Sequence, residues 1–482
     1  MNRMKKIISL IMALAMVLAI AVPVMAEGTT YTITINNNDV GHTYEAYQIF
    51  TGDLHGSVLS NIEWGNDITD AGKTALQSTA GVNNAAGVAD KLEGESSAKQ
   101  FAESVSAYLT STPSGTSTAG DGVYTISGLE PGYYLIKDED NSLEGKDTTY
   151  TEYIIKIVKN IEIEPKDSEA TFEKKVEDCN DSLGRTTDWQ DSADYDIGDK
   201  VPFQLKATLP ANVTSFSTYK VVFHDTLSAG FTYDGGAKVF VDGHDKTTSF
   251  SFSQHTGENG TTILTFSCDD VKALGATNDS EIRVNYTATL NANAVIGLPG
   301  NPNTAYLEYS NNPNATGTGN SVEDKVVVFT YKVVINKVDG DQKPLAGAEF
   351  KLEKKISGAE RKLITTIKAD SGTTFSFEGL DDGVYVLTET LTPAGFNKID
   401  PIEFTIAAIH DVESDEPTLL TLTGGDLLTG EVSTGVLTGK VVNESGATLP
   451  ETGGIGTTLF YVLGAILVLG AGVALVTRKR MS

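Results

Sequence analysis

The strongest limit on what this chain can fold into sits at its C-terminal end. An apolar run covers about 455–476 and is followed by Arg478, Lys479 and Arg480. About 20 apolar residues cross a bilayer as a helix, and basic residues just beyond such a span stay on the cytoplasmic side. Everything before the run is thereby placed outside the membrane. Immediately ahead of it stands Leu449-Pro450-Glu451-Thr452-Gly453. At the other end, Arg3, Lys5 and Lys6 precede a second apolar stretch at 7–22, which closes on Val24-Met25-Ala26. This pattern predicts a secretory signal peptide over 1–26, cut before Glu27. A first membrane helix is the competing reading, and the small residues at the end argue against it. The mature chain is expected to run from Glu27 to Thr452.

The order of pentapeptide, span and basic tail resembles the LPXTG wall-sorting signal of Gram-positive surface proteins. The resemblance implies that a sortase cysteine attacks the Thr452 carbonyl, releases the membrane stub and hands the chain to an amine. An ordinary C-terminal anchor with a chance pentapeptide is the alternative.

The two ends carry six Lys/Arg and no Asp/Glu, so their removal takes the formal charge from -28 to -34. Such an acidic surface disfavours nucleic acid and suits a soluble, self-repelling extracellular rod. The two cysteines, Cys179 and Cys268, are too few for a disulfide framework. An exported chain can pair them, but pairing needs a proximity that sequence does not show.

The mature region is rich in Thr, Val, Tyr and Gly. Short alternating runs such as Tyr31-Thr32-Ile33-Thr34-Ile35 and Glu281-Ile282-Arg283-Val284-Asn285-Tyr286 are separated by turn signals such as Asp242-Gly243 and Asp382-Gly383. This predicts a mainly β fold of tandem immunoglobulin-like sandwiches. The exception is 70–110, where Ala98, Phe101, Ala102, Val105 and Leu109 recur at helical spacing. Breaks near Pro165-Lys166-Asp167 and Phe329-Thr330 divide the chain into domains at 27–165, 168–329 and 330–446, followed by the sorting signal, membrane helix and basic tail at 447–482. A weak repeat links Gly128-Leu129-Glu130-Pro131-Gly132-Tyr133-Tyr134-Leu135 with Gly379-Leu380-Asp381-Asp382-Gly383-Val384-Tyr385-Val386-Leu387.

Several charged residues stand in the wrong phase. Alternate strand residues share a face. In the third domain Lys337 shares one with Val333 and Ile335, Glu389 with Tyr385, Leu387 and Leu391, and Asn443 with Leu437 and Val441. Burial lowers a lysine pKa and raises a carboxyl pKa. A neutral amine, an acid and an amide in a dry core are the parts of a self-directed reaction. The Lys337 amine attacks the Asn443 side-chain carbonyl, Glu389 bonds that carbonyl and moves protons, and ammonia leaves. A buried salt bridge, or a lysine reaching the rim, is the plainer reading of phase alone.

Tyr385-Val386-Leu387-Thr388-Glu389-Thr390-Leu391-Thr392-Pro393-Ala394-Gly395-Phe396 resembles the "E-box" of Gram-positive pilins. Lys343-Pro344-Leu345-Ala346-Gly347-Ala348-Glu349-Phe350-Lys351-Leu352 resembles the segment after the reactive lysine in their CnaB-type immunoglobulin-like domains. The resemblance implies a Lys337–Asn443 isopeptide bond with Glu389 as catalyst, joining the first and last strands. The second domain resembles the CnaA type. Lys174 is in phase with Phe172 and Val176, Asp225 with Val221, Phe223 and Leu227, and Asn303 with Ala305 and Leu307. Lys175, in phase with Glu173 and Glu177, is read as solvated. Asn311 and Asn312 compete with Asn303, but Tyr309-Ser310-Asn311-Asn312-Pro313 reads as a turn. The opening strand of the first domain holds no lysine, so no isopeptide bond is expected there.

Ile161-Glu162-Ile163-Glu164-Pro165-Lys166-Asp167 partly matches the pilin motif that ends in Tyr-Pro-Lys-Asn, with Glu164 for the Tyr and Asp167 for the Asn. The match implies that Lys166 is the amine resolving the sortase thioester on the next subunit. Proline fixes its own φ and keeps its predecessor extended. Lys159 is a rival without the proline.

Together these readings describe the backbone subunit of a covalent pilus on a Gram-positive cell wall. Its implied partners are class C and housekeeping sortases, further copies of itself, minor pilins, peptidoglycan and possible host-surface ligands. The alternative is a monomeric wall-anchored adhesin or minor pilin. No enzyme activity, cofactor or metal is expected: HExxH and GxSxG are absent. The acidic stretch 188–199 lacks EF-hand spacing and reads as a solvated loop.

Overall fold

The computed structural model describes residues 28–446 and 461–468, apart from 40, 93–94, 121, 165–168, 314–315, 359–360 and 369–371. The signal peptide, Lys166 and the pentapeptide Leu449 to Gly453 lie outside the described residues. Residues 461–468 are helical and exposed. Among the described residues no helix is long and apolar enough to cross a membrane.

Three β sandwiches follow one another. In the first, one sheet runs Thr118–Gly120, Val123–Leu129, Tyr31–Asn36, Ile161–Ile163. The other runs Val58–Trp64, Tyr44–His55, Gly132–Asp138, Glu152–Ile157. The alternation of the opening strand is what closes it: Tyr31, Ile33 and Ile35 point inward and are buried. The helical region is three helices, Asp70–Ala80, Ala85–Ala89 and Glu95–Ser106. Gly81 adopts φ 66° and stops the first, and the Asn84 side chain caps the second. The third packs Phe101 on Phe50, ring centroids 5.7 Å apart.

The third sandwich repeats this plan. Its opening strand Tyr331–Asp339 pairs antiparallel with Thr374–Leu380 and parallel with the last strand, Val436–Asn443. In the first sandwich Tyr31–Asn36 pairs antiparallel with Val123–Leu129 and parallel with Ile161–Ile163. The weak sequence repeat falls on the same corner of each, where Gly128 and Gly379 turn with φ 83° and 74°.

The second sandwich is larger. One sheet runs Thr171–Val176, Lys200–Thr208, Glu281–Leu290, Lys238–Val241, His244–Asp245. Its partner runs Ser192–Asp194, Asp324–Phe329, Asn301–Ser310, Val221–Leu227, Thr262–Cys268, Ser251–Thr256. Both cysteines are free thiols. Cys179 sits in a small hairpin with Arg185–Thr186, and Cys268 ends a strand of the large sheet opposite Val221, so the possible disulfide is absent.

The stretch 188–199 is no solvated loop. Asp191, Asp194 and Asp196 are buried, because Ser192–Asp194 is a strand paired with Val327 to Phe329. The segment also meets the third sandwich: Ile197 N–H donates to Gly379 O at 2.9 Å and Asp381 N–H to Asp196 Oδ1 at 3.1 Å. The first and second sandwiches touch through Tyr309 Oη, donating to Asp147 Oδ1 at 2.9 Å.

Candidate cross-linking sites

In the third sandwich the phase argument holds. Lys337, Glu389 and Asn443 are all fully buried. Parallel register sets Lys337 beside Val441, and Asp339 beside Asn443. The Asn443 amide nitrogen donates to both Glu389 oxygens, at 3.0 and 3.1 Å, and to Asn397 O at 2.9 Å. Glu389 therefore faces the nitrogen that would leave, not the carbonyl as the sequence reading expected. Asn443 Oδ1 has no hydrogen-bond partner. Thr392 Oγ1 and Ile399 N–H also donate to Glu389 and hold it in place. Lys337 Nζ rests on the Val338 and Val441 carbonyls at 3.0 and 3.2 Å. Burial pulls its pKa below the ordinary lysine value, opposed by the charges of Glu389 and Asp339.

The second site is built across the two sheets. Lys174 comes from one, Asp225 and Asn303 from the other, and all three are fully buried. Lys174 Nζ lies 2.9 Å from Asp225 Oδ1 and 5.4 Å from the Phe203 ring centroid. Burial lowers the lysine pKa, against the opposing pull of Asp225. Tyr286 Oη joins the set. It donates to Asp225 Oδ2 at 2.5 Å, accepts from the Asn303 amide nitrogen at 2.7 Å and stands 3.4 Å from Lys174 Nζ. Asn303 Oδ1, like Asn443 Oδ1, is buried without a partner. Burial, then Asp225, holds the Tyr286 pKa well above the usual phenol value, so it remains a proton carrier. The sequence reading missed Tyr286, although it shares a strand face with Ile282 and Val284.

Lys175 is half-buried rather than solvated, because its ammonium pairs with Asp191. Asn311 and Asn312 are buried, yet Asn311 donates to Leu143 O and Thr148 O of the first sandwich, at 2.8 and 3.2 Å. Lys159 is exposed.

Three family models match the chain: Gram-positive pilin backbone subunit 2, Cna-B-like domain, at 197–313; prealbumin-like fold domain at 331–416; and LPXTG cell wall anchor motif at 441–482. On these matches the chain is similar to the Gram-positive backbone pilins. It is 24% identical over 391 residues to the trypsin-resistant surface T6 protein of Streptococcus pyogenes serotype M6, covering 65% of this chain and 70% of that one. The solved T6 backbone pilin, a modular three-domain protein, superposes with TM-score 0.56 at 16% identity, over 88% of this chain and 100% of its own. The full-length major pilin SpaD of Corynebacterium diphtheriae gives 0.51 at 16%, over 88% and 99%. The family is structural rather than enzymatic, and its LPXTG anchor places the pilin at the cell-wall surface. The second sandwich, expected as CnaA-type, matches a model described as Cna-B-like.

Register explains the first sandwich of this pilin. Tyr31 pairs with Leu129 and Asn36 with Val123, as Tyr331 pairs with Leu380 and Asn336 with Thr374. Asn37 therefore holds the place of Lys337, and Asp138 the place of Glu389. Asn37 donates to Tyr44 Oη at 2.9 Å. Asp138 is bonded instead to His42 Nδ1 at 2.8 Å and to Thr151. The acid position persists without an amine to serve.

A third fully buried lysine, Lys354, was also missed, although it is in phase with Phe350 and Leu352. It pairs with Asp381, with Asp196 at 3.2 Å and with Asp181 at 3.5 Å. Burial alone would lower its pKa, but these carboxylates carry it above the ordinary value. It is a charged tie between the second and third sandwiches.

Proposed function

We propose that this pilin is polymerised by sortases, Thr452 carbonyl to Lys166 amine of the next subunit, and stiffened by two self-made isopeptide bonds, Lys337–Asn443 and Lys174–Asn303. Its folding units are 27–165, 168–329 and 330–446. The observation that carries the cross-linking is shared by both sites: the amide nitrogen faces the acid, directly or through Tyr286, while the amide carbonyl has no partner. In each, lysine Nζ attacks the asparagine Cγ. The new C–N bond replaces the old one, and ammonia leaves. Glu389 takes the proton from Lys337 and returns it to the departing Asn443 nitrogen. At the second site Asp225 takes it, and Tyr286 relays it to the Asn303 nitrogen. An amine in its neutral form is the nucleophile, which burial favours.

Polymerisation is tested on wall extracts boiled in detergent, comparing the native chain with Lys166→Ala. A high-mass ladder that collapses to monomer in the variant supports the linkage. A surviving ladder moves it to another lysine, Lys159 first. A single band in both supports a monomeric wall-anchored adhesin.

A further inference from the structure

We infer that Asp178, Asp194 and His410 form a site for one divalent transition-metal cation, of the manganese or zinc class, which clamps the second sandwich to the third. Their ligand atoms all lie within 4.8 Å of one another. Asp178 follows Thr171–Val176 and Asp194 ends Ser192–Asp194, both in the second sandwich, while His410 ends Ile402–His410 in the third.

The histidine shows what the cluster lacks. Its side chain is only 8% exposed. Ser192 Oγ has a single proton and donates it to Asp411 O, which only accepts. The contact of that same Oγ with His410 Nδ1, at 2.7 Å, must then be accepted by the serine. Nδ1 therefore carries the ring proton, and Nε2 is left to face Asp178 Oδ2 at 3.9 Å, beyond hydrogen-bond reach. A hydrogen bond to one ring nitrogen that fixes the tautomer is how proteins prepare the other as a metal ligand. Asp178 Oδ1 is also buried with no partner. Among the described residues no lysine or arginine pairs with Asp178 or Asp194. The neighbouring group Asp181, Asp196 and Asp199 differs: Lys354 and Lys362 already neutralise it.

One imidazole and two carboxylates suit a borderline divalent ion better than calcium, which prefers oxygen alone. Ligands at about 2.1 Å from an ion lie at most about 4.2 Å apart, and His410 Nε2 and Asp178 Oδ2, at 3.9 Å, already meet that limit.

The test uses the mature chain, stripped with chelator and titrated with Mn²⁺, read by electron paramagnetic resonance with nitrogen spin-echo modulation. We expect one tight Mn²⁺ per chain, coupling to one imidazole nitrogen. His410→Gln should abolish that coupling and weaken binding at least tenfold, and Asp199→Asn should change neither. Ca²⁺ should compete poorly. No tight Mn²⁺, or tight Mn²⁺ without nitrogen coupling, would overturn the inference, and both readings come from the unaltered chain. Unchanged coupling in His410→Gln would overturn it as well.

Discussion

Glu389→Gln is the cleanest perturbation of the third sandwich. The amide keeps the volume of the acid, and its single oxygen can still accept from Thr392, Ile399 and the Asn443 nitrogen, so packing survives and the contact of Asn443 with the second oxygen is lost. Proton transfer does not survive. The chain should then keep its ammonia at that site, and the intact mass of fragment 27–448 should fall short of the variant's own sequence by one ammonia. The native fragment itself should be lighter than its sequence by two. The stability cost follows from the loop that the bond closes. Lys337 and Asn443 sit at the two ends of the sandwich, on its first and last strands. A link closing about 100 residues removes about 4.7 kcal/mol of unfolded-state entropy by the chain-entropy estimate. At roughly 4 °C per kcal/mol for a domain of about 100 residues, the third sandwich should melt 15–20 °C lower. Calorimetry should show that one transition moving while the second sandwich stays in place. A shortfall of two in the variant would refute the catalytic role of Glu389. A shortfall of one with a shift of only a few degrees would refute the entropic account of the bond.

Tyr286→Phe cuts the relay between Asp225 and Asn303 and should leave the second site open, so that the intact mass falls short of the variant's own sequence by one ammonia rather than two; full closure would show that Asp225 reaches the amide unaided. Pulling single chains should extend the first sandwich alone, since Asn37 stands where the third sandwich has its lysine; extension of all three would count against both bonds. Burial pushes Glu152 in the first sandwich up to about 8, with a Ser106 hydrogen bond opposing. A folded pKa above the unfolded one gives stability that is complete below pH 4.5 and fades as pH rises through 8. The first sandwich should therefore melt lower at pH 9 than at pH 5, by a few kcal/mol at most, and Glu152→Gln should flatten that dependence in pH-resolved melting curves.

Much of this pilin was legible because strands have a period of two. A lysine, an acid and an amide on apolar faces stand out by phase, and the burial of Lys337, Glu389, Asn443, Lys174, Asp225 and Asn303 was legible that way, while their cross-linking roles came from the resemblance. Sandwich number, the helical interruption and the sorting signal follow equally from local pattern and composition. What phase does not carry is which faces meet. Tyr286 lay in a visible strand, but its role depends on two sheets closing over it. The burial of Asp191, Asp194 and Asp196 was misread because an acidic run looks solvated until a neighbouring sandwich covers it. The exchange of Lys337 for Asn37 is clear only once pairing registers are compared. Single-chain periodicity is a property of covalent order. Proximity across sheets and between sandwiches arises from packing, and it alone decided where the acids of the joint, Lys354 and His410 came together.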